Sequence, residues 1–198
     1  MPDLRLFLAS ASPRRLALLD ALGLQVTPCP VPVDERAGDG EDPRARVARL
    51  AEAKVKAAAA RLAALPADAV ILGADTTVVL EGVSLDKPEG PAQAADTLRK
   101  LSGRTHEVFT GVHVLRPQTG AGASAVESTR VHLRAFGEDA VRWYVATGEP
   151  LDKAGAYGIQ GLGVFLVAGI EGSWSNVVGL PLERLPDLLR TVGVRFPF

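Results

Sequence analysis

The sequence predicts a fold of the α/β class, mixed α+β in character, built on a mixed sheet. Three observations carry this. Helical stripes and strand-like runs are interleaved along the chain but do not alternate strictly, as a doubly wound parallel sheet would require. Ala69-Val70-Ile71-Leu72-Gly73-Ala74 is a continuous apolar run suited to a strand buried on both faces. Thr105 to Leu115 and Ser124 to Leu133 instead alternate like strands with two unlike faces, joined by a Pro/Gly loop.

The remaining elements follow in order. Leu4 to Ala9 reads as a short apolar strand. Ser12 as N-cap and Pro13 in the first turn start a helix through Leu16, Leu18, Leu19 and Leu22, which Gly23 stops. Gln25 to Val33 is extended, and the charged, Gly-rich stretch from Asp34 to Asp42 is a loop. Pro43 to Leu65 is a long Ala-rich helix with Val47, Leu50, Ala51, Lys54 and Val55 at helical spacing. Thr76 to Leu80 forms a further strand, and Glu81-Gly82 makes a hairpin turn. Helices are expected over 91–101, 138–146 and 181–192, and a strand over 164–170.

The chain has 198 residues, 47% of them hydrophobic, enough to bury a substantial core. With 22 basic against 23 acidic residues it is neither a disordered chain nor a broad nucleic-acid surface. No linker divides it, so a single domain over 1–198 is expected. No apolar run approaches the ~18–20 residues of a membrane span. The Met1-Pro2-Asp3-Leu4-Arg5 start lacks the layout of a signal peptide. Cys29 is the only cysteine, which excludes an intrachain disulfide and a Cys-based zinc site and suits a reducing cytoplasm.

Several residues break local rules. Arg14 and Arg15 stand in the first turn of a helix, where cations are mildly unfavourable but an anion such as phosphate is welcome. In a chain with 17 arginines and five lysines, two solvated arginines are the alternative. Asp75 directly follows the apolar run; it either caps a turn at Thr76-Thr77 or is a site acid. Asp34-Glu35 is either a solvated pair or, beside a phosphate, a place for magnesium. Lys54 sits on the apolar stripe of its helix, where it either snorkels or serves a site. Lys87, in Leu-Asp-Lys-Pro, is either an ordinary turn lysine or a fixed ammonium within reach of phosphate. The glycines from Gly155 to Gly163 match neither a Walker A loop nor a dinucleotide fingerprint. Gln160 among them offers the paired donor and acceptor that a uracil or thymine edge would match. His106, His113 and His132 share no metal-ligand spacing, and Trp143 and Tyr144 read as packing residues.

Taken together these segments resemble a known family. Leu8-Ala9-Ser10-Ala11-Ser12-Pro13-Arg14-Arg15, Asp34-Glu35, Leu50-Ala51-Glu52-Ala53-Lys54, Gly73-Ala74-Asp75-Thr76 and Leu85-Asp86-Lys87-Pro88 are similar to successive motifs of the Maf nucleoside triphosphate pyrophosphatases. So are Leu101-Ser102-Gly103-Arg104-Thr105-His106, Lys153 to Gly161, and Asn176 to Pro181. The resemblance implies an elongated mixed sheet flanked by helices, two lobes with a central cleft, and the fold shared with inosine-triphosphate pyrophosphatases. It implies a cytoplasmic hydrolase that cleaves a nucleoside triphosphate to monophosphate and pyrophosphate with Mg²⁺ or Mn²⁺. Asp75 then resembles the family's general base or metal-proximal acid, and Glu35 its acidic partner at the metal. Arg15, Lys54 and Lys87 resemble its phosphate-binding cations. Arg14, Thr76 and Gln160 resemble the base-contacting set of the members that act on dTTP and UTP. A homodimer is the family expectation, and no nucleic-acid or membrane partner is expected. The competing reading is a nucleotide-binding regulator of septum formation with little turnover.

Overall fold

Pro13, Pro43 and Pro91 each open a helix, at the position where the missing N–H costs nothing and the fixed φ is already helical. They begin α1 (Pro13–Asp20), α2 (Pro43–Arg61) and α3 (Pro91–Leu101). The Asp42 carboxylate caps α2 by accepting from the Ala45 N–H at 3.2 Å, and the Ser12 hydroxyl accepts from Arg15 N–H at 3.5 Å. α4 (Glu138–Ala146) starts with two acids, which suit the positive end of a helix. Two short helices follow, α5 (Trp174–Val178) and α6 (Leu185–Thr191). The strands are β1 (Arg5–Leu8), β2 (Val26–Pro28), β3 (Ala69–Leu80), β4 (Val83–Leu85), β5 (Thr105–Arg116), β6 (Ala121–Leu133) and β7 (Val167–Glu171). This computed structural model describes residues 4–62 and 64–194. Met1–Asp3, residue 63 of the expected 43–65 helix, and 195–198 lie outside the described residues.

Among the described residues seven strands form a mixed sheet in the order β2-β1-β3-β5-β6-β7, with β4 paired to β3. β1 runs parallel to both β2 and β3, so that Leu8 lies opposite Pro28 and Leu72. β4 is antiparallel to β3, and β7 to β6. Glu81 and Gly82 both take positive φ (51° and 81°), as a two-residue hairpin turn between β3 and β4 requires.

The chain divides into two compact units. One comprises Met1–Asp75, Thr110–Glu127 and Gly179–Phe198; the other comprises Thr76–Phe109 and Ser128–Val178. The first unit buries Leu6, Leu8, Leu19, Ile71 and Leu72 with the inner stripe of α2: Val47, Leu50, Ala51, Val55 and Ala58. The second buries Val78, Leu98, Leu101, Val108, Val131, Val141, Tyr144 and Leu166 in one cluster.

The structure corrects several boundaries. Residues 69–74 and 76–80 belong to one 12-residue strand, so the turn that Asp75 was to cap at Thr76-Thr77 does not exist. Of the extended stretch expected over 25–33, the strand covers Val26–Pro28. Val164 to Leu166 complete a 3₁₀ turn before β7, and Trp174–Val178 is a helix that apolar periodicity did not mark. On α4 the buried positions are Val141 and Tyr144; Trp143 falls off that stripe and is 44% exposed, against the expectation that it packs inside. No helix among the described residues is long and apolar enough to cross a membrane.

His106 is buried in the second unit, edge-on to Tyr157 with ring centroids 5.2 Å apart, and shares a 2.8 Å hydrogen bond from its Nε2 with the Tyr157 hydroxyl. Burial, with His132 a lesser cause, pushes its pKa down to about 4. The unfolded chain takes up this proton near the ordinary value of about 6.5 and the folded protein only near 4. The unfolded state therefore holds the extra proton throughout that interval, and stability falls as pH drops from 6.5 towards 4, by up to about 3 kcal/mol. Urea unfolding across this range is expected to show a shallower pH slope for His106→Gln than for the wild type; equal slopes would contradict the assignment.

Candidate active site

Lys54 lies on the buried stripe of α2, a position the helix otherwise fills with Val, Leu and Ala. An ammonium there must find a counter-charge, because an unpaired buried cation is strongly destabilising. It finds two. Lys54 Nζ is 2.6 Å from Asp75 Oδ1 and 2.7 Å from Glu35 Oε1. The Lys54 and Asp75 side chains are 11% and 15% exposed, whereas Glu35 is 57% exposed. One acid therefore belongs to the interior and the other reaches in from a loop.

Two glycines bring the helix down to Asp75. A Cβ at Gly73 would stand 2.6 Å from the Ala51 carbonyl oxygen, and one at Gly111 would stand 2.2 Å from that of Val47. Without side chains, β3 and β5 let the α2 backbone rest directly on them. Residues i and i+2 of a strand share a face, so Asp75 points to the side that Gly73 leaves open. Lys54 follows Ala51 by one turn of the same helix and meets the carboxylate there. Along β3 the pairing with β1 ends at Leu72 and the pairing with β4 begins at Val78, so Asp75 stands in the interval between the two registers.

The acid pair divides its labour. Asp34 forms a bidentate ion pair with Arg36, with Nε–Oδ1 at 2.9 Å and Nη2–Oδ2 at 2.5 Å, and these bonds hold its carboxyl far below the usual range. Glu35 turns to Lys54 instead. Its loop is strapped to α2: Arg46 Nη2 donates to the Glu35 carbonyl at 3.0 Å and Arg49 Nη2 to the Arg36 carbonyl at 3.1 Å. Arg49 also grips Glu41 through two bonds of 2.6 and 2.7 Å. Its hydrogen bonds, with one from Gly38 N–H, bring the Glu41 pKa down to about 2. Sequence reasoning missed Arg46, Arg49 and Glu41, since nothing local distinguishes them in an Arg-rich chain.

Arg15 is buried, unlike a solvated arginine. Its Nε donates to the Gly179 carbonyl at 2.7 Å and its Nη1 to the Ser10 hydroxyl at 3.1 Å. Burial lowers its pKa, and Asp75 and Glu35 act in the opposite direction while Arg14 adds to the lowering. Arg15 thus lies within the field of the same carboxylates, and Arg14 beside it is half-buried. Cation and acid are present in nearly equal number here, so an incoming anion meets cations already held in place.

Thr76, Lys87 and Gln160 belong to the second unit. Thr76 is half-buried in β3 next to Asp75 in the chain; Lys87 is exposed just after β4, followed by the buried Pro88. Gln160 is half-buried rather than buried and precedes the 3₁₀ turn over Gly161–Leu166. The structure thus brings Arg15, Glu35, Lys54 and Asp75 together within the first unit, and places the other three on the second.

A family model described as Maf-like protein matches residues 5–192. The chain is 54% identical over 190 residues to a dTTP/UTP pyrophosphatase of Moorella thermoacetica, covering 96% of each chain. It is 49% identical over 197 residues to one from an Anaeromyxobacter strain, covering 98% of this chain and 92% of that one. It is 43% identical over 189 residues to one from Syntrophus aciditrophicus, covering 96% and 90%.

The close seating of α2 on β3 yields a test. Gly73→Ala forces a methyl group against the Ala51 carbonyl and Val55, and is expected to cost about 1–3 kcal/mol of stability in urea unfolding. A change within about 0.5 kcal/mol would show that the contact is not tight.

Proposed function

The chain belongs to the Maf family, and from that premise we propose that it hydrolyses dTTP and UTP to the nucleoside monophosphate and pyrophosphate. The names of its relatives favour hydrolysis over the regulatory reading. The observation that carries the proposal is the convergence of Asp75 and Glu35 on one point with cations beside them. Carboxylates facing fixed cations are what water attack on a polyphosphate needs: a proton acceptor, and groups to stabilise charge on the phosphates.

The donor set suits a divalent metal, Mg²⁺ or Mn²⁺. Asp75 and Glu35 bring two carboxylates from different segments together at the Lys54 ammonium, at 2.6 and 2.7 Å, so two hard oxygen donors lie close to each other beside it. Hard cations are held by one or two carboxylates completed by substrate phosphates. Asp75 and Glu35 would hold it, and when bound it would acidify a water and neutralise phosphate charge.

The chain's own residues divide the remaining work. Asp75 orients the attacking water and takes its proton, with Lys54, 2.6 Å from its Oδ1, holding the carboxylate in place. Lys54, Arg15 and Lys87 bind phosphate oxygens and stabilise the charge that passes to the leaving pyrophosphate. Arg15 is held for this by Ser10 and the Gly179 carbonyl, so it loses little freedom on binding. Arg14, Thr76 and Gln160 recognise the pyrimidine, and Gln160 can pair with adjacent donor and acceptor atoms of a uracil or thymine edge. A base that leaves those groups unpaired is rejected.

Asp75→Asn keeps the shape and a hydrogen-bond acceptor for Lys54 but removes the base. It is expected to lower pyrophosphate release from dTTP and UTP by at least about 10²-fold, the lower end of general-base contributions, with nucleotide affinity within a few-fold of wild type. Unchanged pyrophosphate release by this variant would sink the assignment.

A further inference from the structure

The carboxylate of Glu149 lies outside the residues given roles above, yet three groups donate to it. It accepts from the Tyr144 hydroxyl at 2.8 Å, from the Leu162 N–H at 3.0 Å and from the Gly163 N–H at 3.1 Å. The Tyr144 hydroxyl in turn accepts from the Gly158 N–H at 3.1 Å. The two side chains therefore hold the Gly-rich loop at both ends, at Gly158 on one side and at Leu162 and Gly163 on the other. Gln160 is at the apex.

The loop is closed tightly around this pair. A Cβ at Gly163 would stand 2.2 Å from the Gly158 carbonyl oxygen and 2.5 Å from the Tyr144 hydroxyl. Gly161, at φ +68°, would bring one to 2.8 Å from Glu149 Oε2. These glycines are thus required by the clamp: side chains there would push Tyr144 and Glu149 out. The clamp is itself anchored, because Tyr144 is fully buried in the core cluster and Lys153 Nζ donates to the Glu149 carbonyl at 2.6 Å. Burial, and next the bond to Glu149, keep the Tyr144 hydroxyl protonated well above its ordinary range, so it remains a donor.

We propose that Tyr144 and Glu149 are positioning residues for base selection: they fix the 158–163 loop so that the Gln160 amide is presented in one orientation to the pyrimidine. The proposal rests on the reading of Gln160 as a base-contacting residue. An amide on a mobile loop could turn to suit either a donor-acceptor or an acceptor-donor edge; one on a clamped loop discriminates, because the wrong base leaves it unpaired.

The test compares wild type with Tyr144→Phe, Glu149→Gln, Gln160→Ala and the double variant Tyr144→Phe/Gln160→Ala. Binding of non-hydrolysable α,β-methylene analogues of dTTP and dATP is measured by calorimetry, with dTTP turnover alongside and amide hydrogen exchange over 158–163. Tyr144→Phe is expected to speed exchange at Gly158 and Gly163 and to cut the dTTP-to-dATP affinity ratio about tenfold. Gln160→Ala is expected to cut the ratio similarly, and the double variant no further. A general loss of folding would weaken both analogues alike and leave the ratio unmoved. Should Tyr144→Phe not fold, the isosteric Glu149→Gln carries the same expectation. A wild-type ratio in these clamp variants, with Gln160→Ala lowered, overturns the proposal alone. A ratio unmoved by Gln160→Ala overturns the base-contacting reading and the proposal with it. Wild type that binds dTTP selectively but does not cleave it refutes the hydrolase reading, while the ratios still decide the clamp.

Discussion

A lysine in the interior stripe of a helix is the constraint from which the rest of the first unit follows. Lys54 cannot sit among Val47, Leu50, Ala51 and Val55 without a counter-charge, and removing one partner of a buried ion pair typically costs about 3–5 kcal/mol. Asp75 supplies the charge from the middle of β3, and the glycines at 73 and 111 let the helix come close enough for the two to meet. Glu35 joins them from a loop that Arg46 and Arg49 tie to the same helix. One helix thus carries an ammonium, aims a carboxylate and tethers a second.

The same arrangement sorts the charges of the site among different partners. Asp34 is neutralised by its neighbour Arg36 in the loop, which leaves Glu35 to serve the centre. Arg15 is buried and held by the Gly179 carbonyl and the Ser10 hydroxyl, so its charge is fixed in place within the field of the same carboxylates. In the second unit the logic is different. There the Gly-rich segment owes its shape to one carboxylate and one phenol, and its glycines are dictated by how closely those groups approach.

Much of the fold could be read before the structure because helix starts are local. Ser12-Pro13 places one helix N-terminus by capping chemistry and proline geometry alone, and the helices read from 43 and 91 also open on proline. Strands were less legible, since pairing partners decide them: β2 is short because β1 is, and β3 continues through Asp75 because it has partners on both sides of that residue. Of the site, Asp75, Glu35 and Lys54 could each be singled out as misplaced charges, and the family resemblance joined them. Their meeting was not legible, because the pair is 21 residues apart and depends on how α2 sits on the sheet. Gly73, two residues before Asp75, was the physical clue. Tyr144 was read correctly as a packing residue, but its hydroxyl acquires meaning only when the chain returns at Gly158, 14 residues later.

The central proposal is that this constellation cleaves pyrimidine nucleoside triphosphates to release pyrophosphate. Incubating the protein with the common ribo- and deoxyribonucleoside triphosphates and Mg²⁺ or Mn²⁺, with the products separated by liquid chromatography, tests it most directly. Monophosphate and pyrophosphate are expected in equal amounts, with dTTP and UTP consumed ahead of the purine nucleotides. Diphosphate with orthophosphate, a preference for purines, or no turnover with either metal would contradict it.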